Sequence, residues 1–229
     1  MSLDPLSDAK IIDSWHTNAT PWTSAVREKR IESRKLVTDA AAVEAVMSRN
    51  PKSILDIGCG EGWLSRALAA RGVEKVYGVD VVPSLIEQAR AAGGGEFKVA
   101  SYEEIARGAL DIRVDVAVAN FALIGKEAVD DLIRASPQLL NPGGALVVQT
   151  LHPVIGTGDL PYEDGWRKGS WAGFSEDFSD PAPWYFRTLE TWVALIASSG
   201  LKLIEMREPV HPTTRKPASV IFIALKTQN

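Results

Sequence analysis

The chain has 229 residues, of which 45% are hydrophobic and 24% charged, proportions typical of a globular domain. Its formal net charge of −4 disfavours a phosphate backbone as partner, so no nucleic acid is expected. The single cysteine, Cys59, excludes an intrachain disulfide and predicts a reducing compartment, the cytoplasm. No apolar run reaches the roughly 20 residues of a membrane helix, and no secretory signal pattern is visible, so no membrane association is expected.

The chain begins with a segment that is predicted to be helical. Residues 1–50 carry two tryptophans, Trp15 and Trp22, and a basic series that includes Arg34. This segment precedes the first strand pattern. We therefore predict a helical cap on the domain that follows.

From about residue 52 onward, strand and helix patterns alternate, which predicts a parallel sheet covered by helices on both faces. Strands are predicted at 53–57, 75–79, 96–100, 114–120, 145–150, 201–206 and 220–225. Helices are predicted at 63–71, 84–92, about 127–140 and 188–199. Ser84 and Glu87 have the spacing of a capping box, Pro137 is expected to kink or shorten its helix, and 141–144 read as a turn.

One long connection interrupts this alternation. Residues 152–187 are rich in glycine, proline and aromatic residues, and a connection of that length is usually functional. We predict one domain spanning 1–229. Its parts are a helical cap (1–50), a cofactor-binding core (51–151), a substrate lid insertion (152–187), and a C-terminal helix with two strands (188–229).

The most informative stretch is ILDIGCGEG, where Gly58, Gly60 and Gly62 follow a buried strand. Glycines there let backbone approach a ligand closely, which predicts a nucleotide-type cofactor. A P-loop would end in Gly-Lys-Ser/Thr, and the dinucleotide fingerprint would read G-x-G-x-x-G; neither matches. The neighbouring acids Asp56 and Glu61 favour a cationic ligand over a pyrophosphate.

Residues 56–62 resemble the first motif of class I S-adenosylmethionine-dependent methyltransferases. Asp80 lies 20 positions after Gly60 and matches the acid with which that family holds the ribose hydroxyls. The turn at 141–144 is similar to the family's turn before the fifth strand. The resemblance implies S-adenosyl-L-methionine as cofactor. It also implies a doubly wound, mostly parallel, seven-stranded Rossmann-like methyltransferase sheet of order 3-2-1-4-5-7-6, with the last strand antiparallel.

The resemblance also nominates cofactor-binding residues. Ser101 and Tyr102 follow the third strand, near the expected adenine, and Asn120 and Phe121 end the fourth, near the reacting methyl. Arg34 is suited to the cofactor carboxylate. The full predicted set is Asp56, Gly58, Cys59, Gly60, Trp63, Asp80, Val81, Ser101, Tyr102, Asn120, Phe121 and Arg34. No metal site is expected.

The expected function is methyl transfer to a small-molecule substrate. Residues 120–123, Asn-Phe-Ala-Leu, lack the Asn/Asp-Pro-Pro-aromatic motif of enzymes that methylate base amines. His152, directly after the fifth strand, is the candidate catalytic base, and a histidine that shapes the loop is the competing interpretation. A non-catalytic S-adenosylmethionine-binding protein and an NAD(P)-dependent oxidoreductase remain alternatives. The sequence does not specify the acceptor atom or the oligomeric state.

Overall fold

The computed structural model describes residues 4–227. Its α-helices are α1 (Asp8–Arg27), α2 (Asp39–Met47), α3 (Trp63–Ala70), α4 (Pro83–Ala92), α5 (Tyr102–Ala106), α6 (Glu127–Ala135), α7 (Pro153–Gly156) and α8 (Leu189–Ser198). Its strands are β1 (Ser53–Ile57), β2 (Lys75–Asp80), β3 (Glu96–Val99), β4 (Val114–Asn120), β5 (Leu140–Thr150), β6 (Gly165–Arg167), β7 (Trp184–Phe186), β8 (Leu201–Arg207) and β9 (Val220–Lys226). A π-helical turn (Arg34–Thr38) precedes α2, and a 3₁₀ turn (Ser136–Leu139) precedes β5.

Seven strands form the main sheet in the order β3-β2-β1-β4-β5-β9-β8. Strands β1 to β5 pair in parallel, and β9 is antiparallel to both of its neighbours. The expected order and the antiparallel last strand are confirmed. Every residue of β1 is buried, as a central strand with both faces covered requires.

Helices cover both faces of this sheet, which confirms the doubly wound arrangement. On one face the core contains Leu132 of α6 and Trp192 of α8. On the other it contains Val46 of α2 and Leu64 of α3. The carboxyl ends of β1, β2 and β4 consequently meet at one edge, where an open α/β sheet binds its ligand.

Three local predictions need correction. Helix α4 begins at Pro83, one residue before the predicted capping box, and its N-cap residue Val82 makes no side-chain cap bond. Proline fits the first helical position because its missing amide would be unpaired there anyway. Helix α6 ends at Ala135 rather than near residue 140. Pro137 lies in the 3₁₀ turn that follows, so the expected shortening at this residue is confirmed, since proline removes an internal hydrogen bond of an α-helix.

The predicted turn at 141–144 is instead part of β5. Val114 of β4 pairs with Leu140, whereas Val116 pairs with Ala145, so β5 accommodates extra residues as a bulge. Gly143 has φ +75°, a conformation that favours glycine. The two glycines therefore distort the strand without ending it.

The aromatic segment 152–187 folds onto α1. Strands β6 and β7 form a small antiparallel ribbon. The Asn18 side chain donates to the Ser179 carbonyl (2.7 Å) and accepts from the Ser179 amide (3.0 Å), and the Ser14 hydroxyl donates to the Asp180 carbonyl. Asn18 and Ser14 are fully buried, so these bonds are shielded from water and hold the segment against the helix.

Candidate functional site

A cavity of about 460 Å³ opens at the carboxyl ends of the central strands, beneath α1. Its size is within the range of small-molecule sites. The predicted residues that line it are Arg34, Gly58, Cys59, Gly60, Trp63, Asp80, Val81, Ser101, Tyr102, Asn120 and Phe121. The strand ends thus bring most of the predicted residues together around one space.

The glycine loop needs its glycines for two reasons. Gly58, Gly60 and Gly62 all have positive φ, at 71°, 55° and 84°, where side chains with a Cβ are strained. A Cβ at Gly58 would also overlap the side chain of Ala122 from the β4 end. The loop therefore approaches the neighbouring strand end more closely than another residue would allow.

Asp80 at the end of β2 is tied to this loop. Its Oδ2 accepts from the Gly60 amide and its Oδ1 from the Val82 amide, each at 2.9 Å. Burial raises the pKa of Asp80, and these amide bonds act in the opposite direction. Each oxygen keeps a further lone pair, so the carboxylate can still accept from ligand hydroxyls.

The two acids that flank the glycines have different surroundings. Glu61 is 1% exposed, and its carboxylate accepts from Arg66 at 2.7 Å and from Arg27 at 3.0 Å. These two arginines neutralise the Glu61 carboxylate. Its charge therefore gives little support to the prediction of a cationic ligand. Asp56 is buried beneath the loop, accepts from the Ser65 hydroxyl at 2.8 Å, and is absent from the cavity lining within residues 4–227.

Burial dominates the chemistry of two groups beside the loop. It raises the pKa of Asp56 to about 7, with the nearby Asp80 charge acting in the same direction and the Ser65 hydrogen bond opposing it. Burial and the charges of Asp56 and Asp80 also hold the pKa of the Cys59 thiol far above its usual range. Cys59 is therefore a protonated structural thiol, because nucleophilic attack requires the thiolate.

Arg34 lines the cavity, and its guanidinium has one nitrogen without a hydrogen-bond partner among the described residues. Its guanidinium lies 4.7 Å from the centre of the Trp63 ring and 5.7 Å from that of Trp22, and its Nε donates to Asp39 at 2.9 Å. Its Nη2 is buried and has no hydrogen-bond partner among the described residues. An unpaired buried donor is costly, and a ligand carboxylate would satisfy it. The arrangement fits S-adenosylmethionine, which carries a carboxylate.

The residues after β3 are partly committed to local structure. Ser101 caps α5 through a capping box with Glu104, and the Tyr102 hydroxyl donates to the Ala122 carbonyl at 3.1 Å. Burial holds the pKa of Tyr102 far above its ordinary value. Both side chains can still contact a ligand through the surfaces they present to the cavity.

At the β4 end, Asn120 and Phe121 face the cavity. The Asn120 Oδ1 accepts from the Gln149 Nε2 at 2.6 Å, and Phe121 has φ +53°, which is unusual for an aromatic residue. Gln149, on β5, was absent from the predicted set. Its regular strand pattern gave no sign that it would contact a site residue.

His152 occupies a different environment from the one predicted. Its ring is 3% exposed, its Nε2 is 2.7 Å from the Glu208 Oε1, and its Nδ1 has no partner among residues 4–227. It does not belong to the described cavity lining. A role for His152 as base therefore stays a prediction.

An aromatic and aliphatic roof, whose residues were not in the predicted site set, covers the cavity. It consists of Ile11, Ile12, Trp15, Trp22, Trp171 and Phe174. Trp15 contacts both Trp22 and Trp171 edge to face, at centroid distances of 5.1 and 5.9 Å. The abundance of aromatic residues in both segments was visible in the sequence, but their convergence on one cavity was not.

Residues 4–227 contain no group of three or more His, Cys, Asp or Glu side chains arranged to hold a metal ion. None of their helices is long and apolar enough to cross a bilayer.

Comparison with known proteins agrees with this geometry. Residues 54–144 match the family model described as "Methyltransferase domain". The chain is 36% identical over 110 residues to a ubiquinone biosynthesis O-methyltransferase of Xanthomonas oryzae pv. oryzae, covering 43% of each protein. It is 32% identical over 113 residues to a malonyl-[acyl-carrier protein] O-methyltransferase of Pseudescherichia vulneris, covering 49% of this chain and 43% of that one. The chain thus spans less than half the length of these curated relatives.

Solved structures extend the likeness to the whole fold. An S-adenosylmethionine-dependent methyltransferase from Mesorhizobium loti has a TM-score of 0.62 at 24% identity, covering 81% of this chain and 99% of that one. The 1,6-didemethyltoxoflavin-N1-methyltransferase of Burkholderia thailandensis has a TM-score of 0.64 at 16% identity, covering 99% and 94%. Residues 54–144 thus match a methyltransferase domain, and the sheet order around them is that of S-adenosylmethionine-dependent methyltransferase structures.

Proposed function

We propose that this protein transfers a methyl group from S-adenosylmethionine to a small-molecule acceptor. The observation that carries the proposal is that two residues line one cavity: Asp80, which is bonded to the Gly60 amide, and Arg34, whose Nη2 has no partner among the described residues. The first suits ribose hydroxyls and the second a carboxylate. S-adenosylmethionine carries both.

When bound, S-adenosylmethionine supplies a methyl group activated by a sulfonium. The chain's residues then have to position this group and exclude water. Asp80 and Arg34 would hold the two ends of the cofactor, and Asn120 and Phe121 would lie at the reacting end. The roof of Trp15, Trp22 and the other apolar residues would keep water out. Positioning of this kind can supply much of the acceleration of a bimolecular displacement.

The electrostatics of the lining disfavour a pyrophosphate cofactor. Four acids line the cavity, and Arg34 is the one cation among its described residues; the acids are Asp8, Glu61, Asp80 and Glu103. A pyrophosphate would meet more negative than positive side chains. An oxidoreductase that uses NAD(P) is therefore the weaker alternative.

Size and charge support a small acceptor. The cavity has the volume of a small-molecule site and is covered by the roof. The net charge of −4 gives no attraction for nucleic acid. We also propose that segment 152–187 acts as the substrate lid and that the protein works in the cytoplasm, for which the single buried Cys59 is suited.

Two measurements test the proposal. Calorimetry should detect binding of S-adenosylmethionine and S-adenosylhomocysteine but not of NADH. A screen of small-molecule acceptors should then yield S-adenosylhomocysteine. NADH binding in preference to S-adenosylmethionine would favour the oxidoreductase. Tight S-adenosylmethionine binding without turnover of any acceptor would favour the non-catalytic binding protein.

A further inference from the structure

We propose that the acceptor is a planar conjugated molecule whose methylated atom carries no proton at neutral pH, and that Asn120 positions it by donating a hydrogen bond. This inference rests on the proposed methyl transfer and specifies its substrate class. Two kinds of atom meet the requirement: a ring nitrogen with a free lone pair, and the oxygen of an acidic hydroxyl that is already ionised.

The first line of support is the absence of an available base in the described lining. The titratable side chains that line the cavity within residues 4–227 are Asp8, Arg34, Cys59, Glu61, Asp80, Tyr102 and Glu103. Arg34 stays protonated in proteins and cannot accept a proton. The Cys59 thiol and the Tyr102 hydroxyl are protonated because burial raises the pKa of each.

The carboxylates are engaged elsewhere, with one exception. Asp8 accepts from the Lys126 and Ala128 amides, Glu61 is paired with two arginines, and Asp80 accepts from two amides at the glycine loop. Glu103 lies in the first turn of α5, after the edge strand β3, whereas the proposal puts the acceptor beside Asn120, at the end of β4. We therefore assign Glu103 no proton transfer and include it in the test.

The second line of support is the fixed orientation of the Asn120 amide. Gln149 Nε2 donates to the Thr38 carbonyl at 3.0 Å, and a carbonyl can only accept. The same Nε2 lies 2.6 Å from Asn120, which must therefore present its Oδ1 to it. The Asn120 Nδ2 is left for the cavity, where it has no described hydrogen-bond partner.

A cavity that offers a donor and no base selects the acceptor chemically. A donor would bind a carbonyl, an ionised oxygen, or a ring nitrogen other than the one that is methylated, because a ring nitrogen has only one lone pair. A neutral alcohol or a protonated amine would instead need a group to take its proton. An acceptor with an N–H group would need the Asn120 Oδ1 to face the cavity. In the structure this oxygen faces Gln149 instead.

The third line of support is the aromatic roof. Trp15, Trp22, Trp171 and Phe174 contact one another at centroid distances between 5.1 and 6.4 Å. Rings that pack on one another in this way fix each other's orientation. A flat conjugated ligand can bury its faces against such a wall at low entropic cost.

The reaction then needs no proton transfer to the protein. The acceptor's lone pair forms the new bond to the methyl carbon, while the carbon–sulfur bond breaks and its electron pair stays on sulfur. A ring nitrogen becomes a cation, and an ionised oxygen becomes a neutral ether. Neither product has a proton to release.

Three probes of similar kind test this class. 4-Acetylpyridine has a proton-free ring nitrogen and a separate carbonyl oxygen that can accept from Asn120. 4-Nitrophenol is mostly ionised at mildly alkaline pH, whereas 2-naphthol is mostly protonated there. We expect methylation of 4-acetylpyridine or 4-nitrophenol, with 2-naphthol at least about a hundredfold slower, the smallest effect of a missing general base. Methylation of 4-acetylpyridine alone would identify the ring nitrogen, and of 4-nitrophenol alone the ionised oxygen.

A binding measurement tests Asn120 independently of turnover. Titration of the S-adenosylhomocysteine complex, followed by tryptophan fluorescence, gives the Kd of the better probe. Asn120→Asp replaces the free donor with an acceptor and should weaken binding at least about tenfold, in the range for a lost hydrogen bond to a charged group. Asn50→Asp makes the same chemical change at a residue outside the described cavity lining and should leave Kd unchanged. If Asn120→Asp is unstable, Gln149→Glu should reverse the Asn120 amide and weaken binding in the same way.

Several outcomes would overturn the inference. These are methylation of 2-naphthol at a comparable rate, S-adenosylmethionine binding without methylation of either proton-free probe, equal probe affinity in the Asn120→Asp protein, or a hundredfold loss of kcat in Glu103→Gln. Failure to bind S-adenosylmethionine, or binding without turnover of any acceptor in the screen, would overturn the proposed function itself. Turnover of a protonated acceptor but of neither proton-free probe would overturn only the inference, so the two failures are distinguishable.

Discussion

Asp8, in the first turn of α1, accepts a hydrogen bond of 2.7 Å from the backbone amide of Lys126, which is 118 positions away in the chain. Its second oxygen accepts from the Ala128 amide at 2.8 Å. Asp8 thus satisfies exposed amides at the start of α6 and fastens the N-terminal cap over the cavity. A Cβ at Gly125 would overlap the Asp8 carboxylate, so this contact depends on a glycine beside it.

We expect Asp8→Ala to lower the free energy of unfolding by about 1 kcal/mol, the usual effect of losing a helix cap. Hydrogen exchange at Lys126 and Ala128 should accelerate. Asp13→Ala removes an exposed acid from the same helix and serves as the control, with little expected change. Equal unfolding energies and exchange rates in the two variants would show that the Asp8 contact contributes nothing.

Arg34 should recognise the carboxylate of the cofactor. We expect Arg34→Gln to weaken S-adenosylmethionine binding by about 1.5–3 kcal/mol, since it removes a hydrogen bond between charged groups. Binding of methylthioadenosine, which lacks the carboxylate, should change much less. Arg30→Gln alters an exposed arginine that is paired with Glu28 and provides the control. If both ligands lost the same binding free energy, the effect of Arg34→Gln would come from lost packing against Trp63 rather than from a lost contact with the carboxylate.

Asp80 should hold the ribose hydroxyls. We expect Asp80→Ala to weaken S-adenosylmethionine binding by about 1.5–3 kcal/mol in calorimetry. Asp115→Ala is a matched control, because Asp115 also accepts backbone amides, those of Lys52 and Ser53, but before the β1 strand. That variant should lose stability and keep its affinity. Unchanged affinity in folded Asp80→Ala would remove Asp80 from the cofactor site.

Asp56 should make stability depend on pH. Its pKa is about 7 in the folded protein and 3.8 ordinarily, so the folded state retains a proton that the unfolded chain releases. The stability from this proton is fully present below the ordinary pKa and is lost as pH rises through about 7. The loss is at most roughly 4 kcal/mol, at about 1.36 kcal/mol per pKa unit.

Denaturant unfolding of the ligand-free protein across this pH range measures the effect. Relative to wild type, Asp56→Asn should gain stability steadily between about pH 4 and pH 7, because it cannot titrate. Asp131→Asn, at an exposed position on α6, should run parallel to wild type. A parallel curve for Asp56→Asn as well would show that the Asp56 pKa is near its ordinary value.

Substitution of His152 distinguishes a catalytic base from a residue that only shapes the loop. Because its ring is buried against Glu208, we expect His152→Ala to lower thermal stability and raise KM, with kcat down less than about tenfold. The dependence of kcat on pH should keep its shape, and cofactor Kd should stay constant. A fall in kcat of a hundredfold or more, with a flattened acidic limb, would instead establish His152 as the base.

The local sequence determined the elements that carry the site. The apolar run at Ser53–Ile57 specifies a buried strand, and the alternate glycines after it specify a loop with positive φ at those three positions. The fixed length of one crossover unit then places Asp80 beside Gly60. These features depend on neighbours in the chain, so they were predictable from pattern and spacing.

Only the tertiary structure decided which polar groups are free. Glu61 resembles a ligand-facing acid in sequence, yet Arg27, from α1, and Arg66 neutralise it. His152 pairs with Glu208, 56 positions away, and Gln149 fixes the orientation of Asn120 from the next strand. Hydrogen bonds and ion pairs between distant segments form only when the sheet brings those segments together, and nothing in local periodicity records them. The chemistry of the cavity therefore depends on contacts between distant residues, and the sequence does not show which of these residues come together.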